Sequence, residues 1–289
     1  MLTGKDLILA TKPFAKEIRW KSWYHTLTTL LLLLTCLLGT YYMPTIFGIS
    51  SIYGRIIFSI LSALLLSRFF IIFHDYQHHT ILRNSIIASI IFTAFGFYMV
   101  TPPSIWKRSH DHHHNHNAKL FSASIGSYPI MTKQKFLDAT PGERTAYLAI
   151  RNPINMFFAY ITAFIYGMCI QSFMSSPRRH WDSLLTLLFH FGFATFLFFH
   201  FGWDTWFITF CLPFALSHML GAYLFYAQHN FPGAKFKKNA DWNYADAALE
   251  SSSYMKMNPF MQWVTANIGL HHIHHLNARI PFYLSLIHI

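Results

Sequence analysis

Long apolar stretches, which alternate with clusters of histidine, constrain the fold of this chain more than any other feature. Six stretches are apolar enough to cross a membrane, and they cover roughly residues 26–47, 56–73, 84–105, 154–174, 183–200 and 205–226. A transmembrane helix needs about 20 apolar residues, with about 17 as the lower bound, so length alone admits all six. The sequence therefore predicts an all-α, polytopic membrane protein.

The composition also favours a membrane protein. Of the 289 residues, 53% are hydrophobic and only 11% are charged, whereas soluble proteins carry about 25% charged residues. The net charge of +11 would suggest a nucleic-acid partner for a soluble protein. Here the basic residues flank apolar stretches, which is the positive-inside pattern, in Lys12–Lys21, Lys107–Arg108, Arg178–Arg179 and Lys235–Lys238. We therefore expect no nucleic-acid partner, and a single domain over residues 1–289, because no linker or repeat divides the chain.

Residues 1–25 form a basic tail that we expect on the cytoplasmic side. This tail continues into the first apolar stretch without a small-residue cleavage site, so the stretch is expected to remain as an anchor. Three cysteines, Cys36, Cys169 and Cys211, fall within apolar stretches and have no CxxC spacing. That distribution predicts packing rather than disulfide bonds or an iron–sulfur cluster.

Three histidine clusters lie just outside the apolar stretches, at residues 74–79 (HDYQHH), 110–116 (HDHHHNH) and 271–275 (HHIHH). Imidazole is a common ligand for iron, copper, zinc and nickel. An affinity tag or a loose chelating loop is the alternative, but a tag is terminal and uniform, whereas these clusters are internal and patterned. About ten imidazoles at a membrane surface imply more than one metal ion and a redox reaction on a lipid-soluble molecule.

The spacing within the clusters is helical. His74 and His78 are one helical turn apart and share a face, whereas His79 points about 100° away. The other two clusters repeat the spacing i, i+3, i+4, which presents three imidazoles on one stripe of a helix; their members are His110, His113 and His114, and His271, His274 and His275.

The other histidines have less specific surroundings. His229 directly follows the last apolar stretch, level with the clusters, and is predicted as a further ligand. Hydrogen bonding to the ligands is predicted for His112, His116 and His272. Packing as neutral, hydrogen-bonded groups is predicted for His190 and His218, which lie within apolar stretches. No constellation surrounds His25, His180 or His200.

A single metal site requires every cluster to face the same side of the membrane, so an even number of crossings must separate them. The stretch 84–105, which contains Pro102 and Pro103, lies alone between the first two clusters and is predicted to be re-entrant or interfacial. The stretch 154–174 has arginines on both flanks and is also predicted not to cross. The alternative is that 154–174 crosses and 205–226 does not.

The preferred scheme has four transmembrane helices, with both termini and all clusters in the cytoplasm; they are 26–47, 56–73, 183–200 and 205–226. Two arginines are difficult to place in this scheme. Arg55 would lie near the outer face, against the positive-inside rule. Arg68 lies inside the second helix and must snorkel or pair near the inner face.

Three further segments extend the pattern: residues 221–229 (GAYLFYAQH), 250–254 (ESSSY) and 267–283 (NIGLHHIHHLNARIPFY). Together with the clusters, and with Arg151-Asn-Pro153, they resemble the membrane fatty acid desaturase family, in particular bacterial acyl-lipid Δ12 (omega-6) desaturases. The resemblance covers about residues 15–283. The last residues, 284–289 (LSLIHI), do not fit it and resemble a translated sequencing adapter on a truncated C-terminus, so His288 is left out of the site.

The resemblance implies a cytoplasmic helical cap that holds two Fe ions as a di-iron centre on eight to ten histidines. Cluster two departs from the usual pattern by its extra histidines at 112 and 116. Whether His78 or His79 coordinates directly stays open. The implied ligands are His74, His78, His79, His110, His113, His114, His271, His274 and His275, with His229 after the fourth span.

The expected activity is O2-dependent desaturation of a fatty acyl chain, with a lipid-linked substrate implied by the resemblance. The sequence contains no flavin or dinucleotide fingerprint, so electrons must come from an external donor. An acidic ferredoxin or a cytochrome b5-type protein would suit the basic face at Lys235–Lys238. A di-iron hydroxylase or ketolase and a metal-transporting or metal-binding membrane protein are the alternatives. The double-bond position, chain length, acyl carrier, donor and oligomeric state stay open. In a bacterium the protein would lie in the inner membrane.

Overall fold

The computed structural model describes residues 4–47, 52–120 and 126–288, without the side chains of residues 44–47 and 287–288. Within these ranges every regular element is helical, and only two isolated β-bridges occur. The predicted all-α class is therefore confirmed for the described residues. Residues 1–3 and 289, which belong to the predicted tails, lie outside them.

The α-helices are α1 Gly4–Ala10, α2 Arg19–Phe47, α3 Ile52–Gln77, α4 Ile86–Tyr98, α5 Pro103–His116, α6 Lys133–Asp138, α7 Pro141–Arg151, α8 Pro153–Phe157, α9 Ser172–Ser175, α10 Trp181–Phe201, α11 Trp203–Trp206, α12 Leu212–His229, α13 Tyr244–Glu250, α14 Pro259–Val264 and α15 His271–Leu276. Short 3-10 turns cover Lys12–Phe14, Asn239–Asp241 and Ser285–His288, and π-helical turns cover Tyr160–Gln171 and Phe207–Cys211.

Helices α2 and α3 form an antiparallel pair. Arg68 Nε donates to Thr29 Oγ1 (3.1 Å), and Arg55 Nε donates to the Thr40 carbonyl (3.2 Å), so residue numbers fall on α2 as they rise on α3. Both helices are long and apolar enough to cross a membrane. They contain the predicted stretches and extend past them, because polar residues at their ends continue the helical turns.

A third segment, Trp181–His229, is also long and apolar enough to cross a membrane. It folds back on itself: the rings of His190 and Phe214 have centroids 5.0 Å apart, whereas a straight helix would separate residues 24 positions apart by about 36 Å. The reversal lies at Gly202, whose φ of +81° and ψ of 169° suit glycine alone. The two arms, α10 and α11–α12, contain the predicted stretches 183–200 and 205–226.

The stretch 84–105 is not one straight helix. Helices α4 and α5 meet at 91°, a geometry that describes either a broken span or a re-entrant loop. Pro102 and Pro103 lie at the bend, where proline restricts the preceding residue and cannot donate to an earlier turn. Aromatic contacts hold α4 on α3, with ring centroids 5.6 Å apart for Phe69 and Phe92.

The stretch 154–174 forms α8, the π-helical turns and α9, and none of these helices is both long and apolar enough to cross a membrane. Met156 and Ala159 pack against Ala222 of α12. The Tyr160 hydroxyl is hydrogen bonded to His190 Nε2 of α10. The segment therefore lies against both arms of the hairpin.

The C-terminal helices pack over the ends of α3 and α12. Ala245 and Ala248 of α13 form an apolar cluster with Leu276 of α15. The Tyr244 hydroxyl donates to the His275 carbonyl (2.7 Å), and Gln228 Nε2 donates to the Ile268 carbonyl (3.1 Å). These contacts fix the third histidine cluster against the end of the hairpin.

Candidate metal centre

Four helices bring histidines together at one end of the molecule. The C-terminal end of α3, the C-terminal half of α5, the last residue of α12 and the short helix α15 each supply at least one imidazole. The nitrogens divide into two groups, and within each group the candidate ligand atoms lie within 4.8 Å of one another. Nine of the ten histidines predicted from the sequence belong to these groups.

The first group contains five imidazoles, those of His74, His78, His110, His114 and His274. Its Nε2 atoms approach closely: His78 to His110 at 3.0 Å, His110 to His114 at 3.1 Å, and His114 to His274 at 3.0 Å. Helices α3, α5 and α15 therefore meet through their imidazoles.

The second group contains four imidazoles, all of them buried: His113, His229, His271 and His275. Nε2 of His229 lies 3.0 Å from Nε2 of His113 and 2.9 Å from Nε2 of His271. The Nε2 atoms of His271 and His275 are 3.1 Å apart. His229, the residue that the sequence predicts as a further ligand, thus lies centrally in this group.

The helical spacing explains how the clusters on α5 and α15 divide between the two groups. Residues at i and i+4 are offset by about 40° around a helix, whereas i and i+3 are offset by about 60° in the opposite sense. The i, i+4 pairs accordingly share a group: His110 with His114 in the first, and His271 with His275 in the second. The third member of each of these two clusters, His113 on α5 and His274 on α15, joins the other group. Both α5 and α15 therefore lie between the groups, and the rings of His114 and His275 stack with centroids 4.2 Å apart.

Burial favours the neutral form of most of these imidazoles. It is the largest cause that holds the pKa of His110, His114 and His274 well below the usual histidine value, and the neighbouring imidazoles add to it. The pKa values of His113, His271 and His275 are lowered by the same two causes. A neutral imidazole keeps a lone pair on one ring nitrogen, which is the form that binds a metal ion.

The donor set fits a metal ion better than a hydrogen-bond network. A neutral imidazole nitrogen is either a donor or an acceptor, never both. Nε2 of His110 and Nε2 of His114 each lie within 3.1 Å of two other Nε2 atoms. Neither atom can hydrogen bond well to both neighbours, whereas a cation among them would accept every lone pair. The nitrogen-only composition suits the transition metals that imidazole prefers, including iron.

Three groups other than histidines contact the imidazoles, and the sequence prediction missed them. Asp75 Oδ1 lies 3.5 Å from His74 Nδ1, and its Oδ2 accepts the Phe282 amide (2.8 Å). The ring of Trp106 stacks on His110 with centroids 4.6 Å apart. Two signals were present: an acid directly after His74, and a tryptophan one helical turn before His110. The Ser251 carbonyl lies 3.2 Å from His229 Nδ1, and a backbone group leaves no mark in the sequence.

His79 is the one predicted ligand outside both groups. Helix α3 ends at Gln77, and His79 has a φ of 56°, which turns its exposed side chain away from the first group. The three histidines predicted to hydrogen bond to ligands also lie outside the groups: the rings of His112 and His116 stack at 4.0 Å, and His272 contacts Tyr254.

The remaining histidines lie elsewhere. His190 and His218 are buried and hydrogen bond to the carbonyls of Tyr98 and Met99, respectively, which agrees with the packing role predicted for them. Outside both groups are also His25, which faces Arg68, His180, which faces Ser104, and His200, which stacks on Phe196.

The basic segment Lys235–Lys238 is partly neutralised. Lys235 Nζ lies 2.8 Å from Glu250 Oε1, and Lys237 Nζ lies 3.5 Å from Asp246 Oδ2. Lys238 is exposed and has no ion pair among the described residues. Less free charge is therefore available here than the sequence suggests.

The family model described as fatty acid desaturase matches residues 50–285. A fatty acid desaturase of Bacillus subtilis is 30% identical over 226 residues, which cover 78% of this chain and 64% of that protein. A chloroplastic omega-6 fatty acid desaturase of Spinacia oleracea is 22% identical, over 74% of this chain and 48% of its own length.

An sn-1 oleoyl-lipid 12-desaturase of Synechocystis is 24% identical over 275 residues, 93% of this chain and 75% of that protein. The chain thus spans less than two thirds of the length of the Bacillus and spinach relatives, at 64% and 48%. These matches confirm the resemblance inferred from the sequence.

Proposed function

This chain belongs to the fatty acid desaturase family, and we propose that it catalyses the O2-dependent introduction of a cis double bond into a lipid-linked fatty acyl chain. The observation that carries the proposal is the pair of adjacent, buried imidazole groups. Removing hydrogens from two unactivated methylenes needs a stronger oxidant than any side chain, so the protein must bind one.

We propose that the nine grouped imidazoles hold two Fe ions, one ion in each group, and that His79 is not a ligand. Bound iron would supply the activation of O2 and the oxidising power that amino acids lack. In the overall balance, two hydrogens leave the acyl chain, an external donor adds two electrons, and two protons enter as O2 becomes two molecules of water. The chain itself contributes position and exclusion of water.

Several side chains serve these two roles. The Ser251 carbonyl fixes the orientation of His229, and the Asp75 carboxylate lies 3.5 Å from His74 Nδ1. Supporting contacts to ligands typically contribute about 10- to 100-fold to metal affinity. Trp106 stacks on His110 and also contacts Phe73, with ring centroids 4.6 Å and 5.3 Å apart, respectively. Apolar cover of this kind keeps bulk water from the reacting region.

The proposed topology has four membrane spans: α2, α3, α10, and α11–α12 with the π-helical turns between them. Both ends of the α10–α12 hairpin then lie on one side, and its turn at Gly202 lies on the other. Arg55 pairs there with Asp204 (3.0 Å), which supports its position near the outer face. We propose that the bent pair α4–α5 and the stretch 154–174 do not cross, and that the histidines and both termini are cytoplasmic.

The proposed substrate is an acyl group on a membrane lipid, desaturated at the Δ12 position. Support comes from two relatives, an omega-6 fatty acid desaturase and an sn-1 oleoyl-lipid 12-desaturase. The proposed electron donor is a ferredoxin or a cytochrome b5-type protein that contacts the face carrying Lys238. Because Lys235 and Lys237 pair with acids, Lys238→Glu is the clearer test. An unchanged salt dependence of donor-supported turnover would exclude Lys238 as a contact.

Expression in a bacterial host that lacks polyunsaturated lipids tests the proposed reaction. Gas chromatography with mass spectrometry should detect a new diunsaturated fatty acid, and position-specific derivatives should locate its second double bond. His274→Ala should abolish the product, whereas His200→Ala, an exposed histidine far from both groups, should retain it. Hydroxylated or keto lipids would contradict desaturation, and product formation by His274→Ala would remove this residue from the ligand set.

A further inference from the structure

A second site lies apart from the imidazole groups, in a cavity of about 520 Å³ between the start of α2, the middle of α3 and the C-terminal helices. Two cations line it, Arg68 and Lys21, and no aspartate or glutamate of the described residues does. Arg68 is only 2% exposed. A buried charge is costly unless it is paired. An anion in the cavity would therefore offset the cost of burying Arg68.

The contacts of Arg68 are all with neutral groups. Its guanidinium donates to Thr29 Oγ1 (3.1 Å), to the Trp263 carbonyl and to His25 Nδ1 (3.2 Å). The Trp263 ring lies 4.2 Å from the guanidinium carbon. Among the described residues no acid forms an ion pair with Arg68, and three of the five N–H groups of an arginine are used in this way. The remaining N–H groups are suited to an anion in the cavity.

The rim of the cavity has the character of a membrane interface. Trp20 and Tyr24, in the first turns of α2, are 67% and 58% exposed, and Trp263 of α14 is 43% exposed. Tryptophan and tyrosine are enriched where the polar headgroups meet the acyl chains. Lys21 lies beside them with its Nζ 5.7 Å from the Trp20 ring centroid, as expected for a basic residue at the level of phosphate groups.

An exposed apolar stripe leads from this rim along α2. Leu27 and Leu31 follow Tyr24 at positions i+3 and i+7 and are 51% and 64% exposed. Residues at this spacing share a helix face. A lipid with its phosphate in the cavity would place an acyl chain along this stripe, whereas a small soluble anion would make no contact with it.

We propose that this cavity binds the phosphate of an anionic phospholipid from the leaflet nearest the histidines, with Arg68 and Lys21 as its charged partners. Basic pockets between transmembrane helices are known to bind anionic headgroups in this way. The site is separate from the proposed reaction, since none of the grouped imidazoles lines the cavity. Arg68 and His74 are six residues apart on α3, so about 9 Å along the helix axis separates the cavity from the first group.

Native mass spectrometry of the iron-loaded full chain in detergent tests the site. The probes are phosphatidylglycerol and a galactosyl diacylglycerol with identical acyl chains. The wild type should retain one phosphatidylglycerol in preference to the galactolipid. Lys21→Gln should weaken this binding about fivefold, the effect of one basic residue at a lipid surface. Lys16→Gln, the same change at an exposed residue outside the cavity, should leave binding unchanged.

Arg68→Gln should abolish the preference, with iron content as the check on folding. Equal retention of both lipids by the wild type, or wild-type binding by Lys21→Gln, would overturn the proposal. Displacement of the lipid by millimolar inorganic phosphate would also overturn it, because a soluble anion would then be sufficient. Retained lipid binding without a desaturated product in the host would contradict the proposed reaction and leave the lipid site standing.

Discussion

At the scale of the residue, the two ring nitrogens of His229 have different tasks. In His229, Nδ1 lies 3.2 Å from the Ser251 carbonyl, which can only accept a hydrogen bond, so this nitrogen carries the proton. Nε2, which faces His113 and His271, is then left with its lone pair. A backbone carbonyl thus selects the tautomer that a metal ion needs.

The distinction between His78 and His79 gives the sharpest test of a single residue. His78 Nε2 lies 3.0 Å from His110 Nε2, whereas His79 is exposed and outside both groups. We expect His78→Ala to lose at least half of the bound iron, because an ion in the first group would lose a ligand, and His79→Ala to retain it all. Plasma mass spectrometry of the purified variants measures iron per chain. Iron loss in His79→Ala alone would reverse the assignment.

The lowered pKa values also predict how iron binding depends on pH. Burial holds the pKa of His110, His113 and His275 below about 6.5, the value of a free histidine, so these groups are neutral at pH 7. Below about pH 6.5 the unfolded, metal-free chain takes up protons that the folded site excludes, so acid destabilises both the fold and the bound metal. Stability therefore rises with pH through this range.

Dialysis of the iron-loaded protein at a series of pH values checks this expectation. Iron should be retained near neutral pH and lost progressively as the pH falls below about 6.5. Exposed His79 would titrate without effect on retention. Full retention down to about pH 4, where free carboxylates protonate, would show that the bound metal does not depend on these imidazoles.

At the scale of the element, the hairpin α10–α12 depends on one glycine. Gly202 has a φ of +81°, and a Cβ built there would contact nothing closer than 3.7 Å, so a substitution meets backbone strain rather than a clash. Gly202→Ala should lower the free energy of unfolding by about 1–3 kcal/mol.

Gly192→Ala is the matched control, because Gly192 lies inside α10 with open space around it. Alanine has the higher helix propensity, so this change should be neutral or stabilising by up to about 1 kcal/mol. Thermal unfolding in detergent micelles compares the two variants. Equal stability of Gly202→Ala and the wild type would contradict a strained reversal at this position.

The elements differ in how far the sequence could predict them. The apolar stretches predicted α2, α3 and the hairpin arms, because a run of about 20 apolar residues has few alternatives in lipid. The helices themselves were predicted too short, because their turns continue into polar residues such as Arg19 and Gln77. The π-helical turns at Tyr160–Gln171 have no sequence signature and depend on packing against the hairpin.

The candidate site shows the same limit. Spacing alone predicted that His110, His113 and His114 share a helical stripe, and α5 confirms this helix. Spacing could not predict that His113 joins a different group from His110 and His114, because that division depends on where α12 and α15 place their own histidines. His79 lies outside both groups because helical spacing stops applying where α3 ends, at Gln77, so its role as a ligand stays a prediction.

At the scale of the whole molecule, the proposed topology separates the hairpin turn from the histidine end. Asp204, whose side chain is 69% exposed, lies at the turn, and Lys238 is exposed near the histidine end. A membrane-impermeant maleimide should label Asp204→Cys in intact cells and Lys238→Cys only after the membrane is opened. Among the native cysteines, Cys36 and Cys169 are buried and should react little with the maleimide. Labelling of the wild type measures the background.

Labelling of both positions from the same side would contradict the four-span topology. Labelling of Lys238→Cys alone in intact cells would invert it, and the imidazole groups would then face away from cytoplasmic electron donors. Either result leaves the fold of the described residues unchanged, since only the orientation in the membrane is at issue.

The central claim is that nine imidazoles, drawn from four helices, enclose two iron ions. Diffraction data from crystals of the iron-loaded protein, collected above and below the iron absorption edge, test this claim most directly. We predict two anomalous peaks, one among His74, His78, His110, His114 and His274, and the other among His113, His229, His271 and His275. A single peak, or peaks away from these imidazoles, would contradict the account.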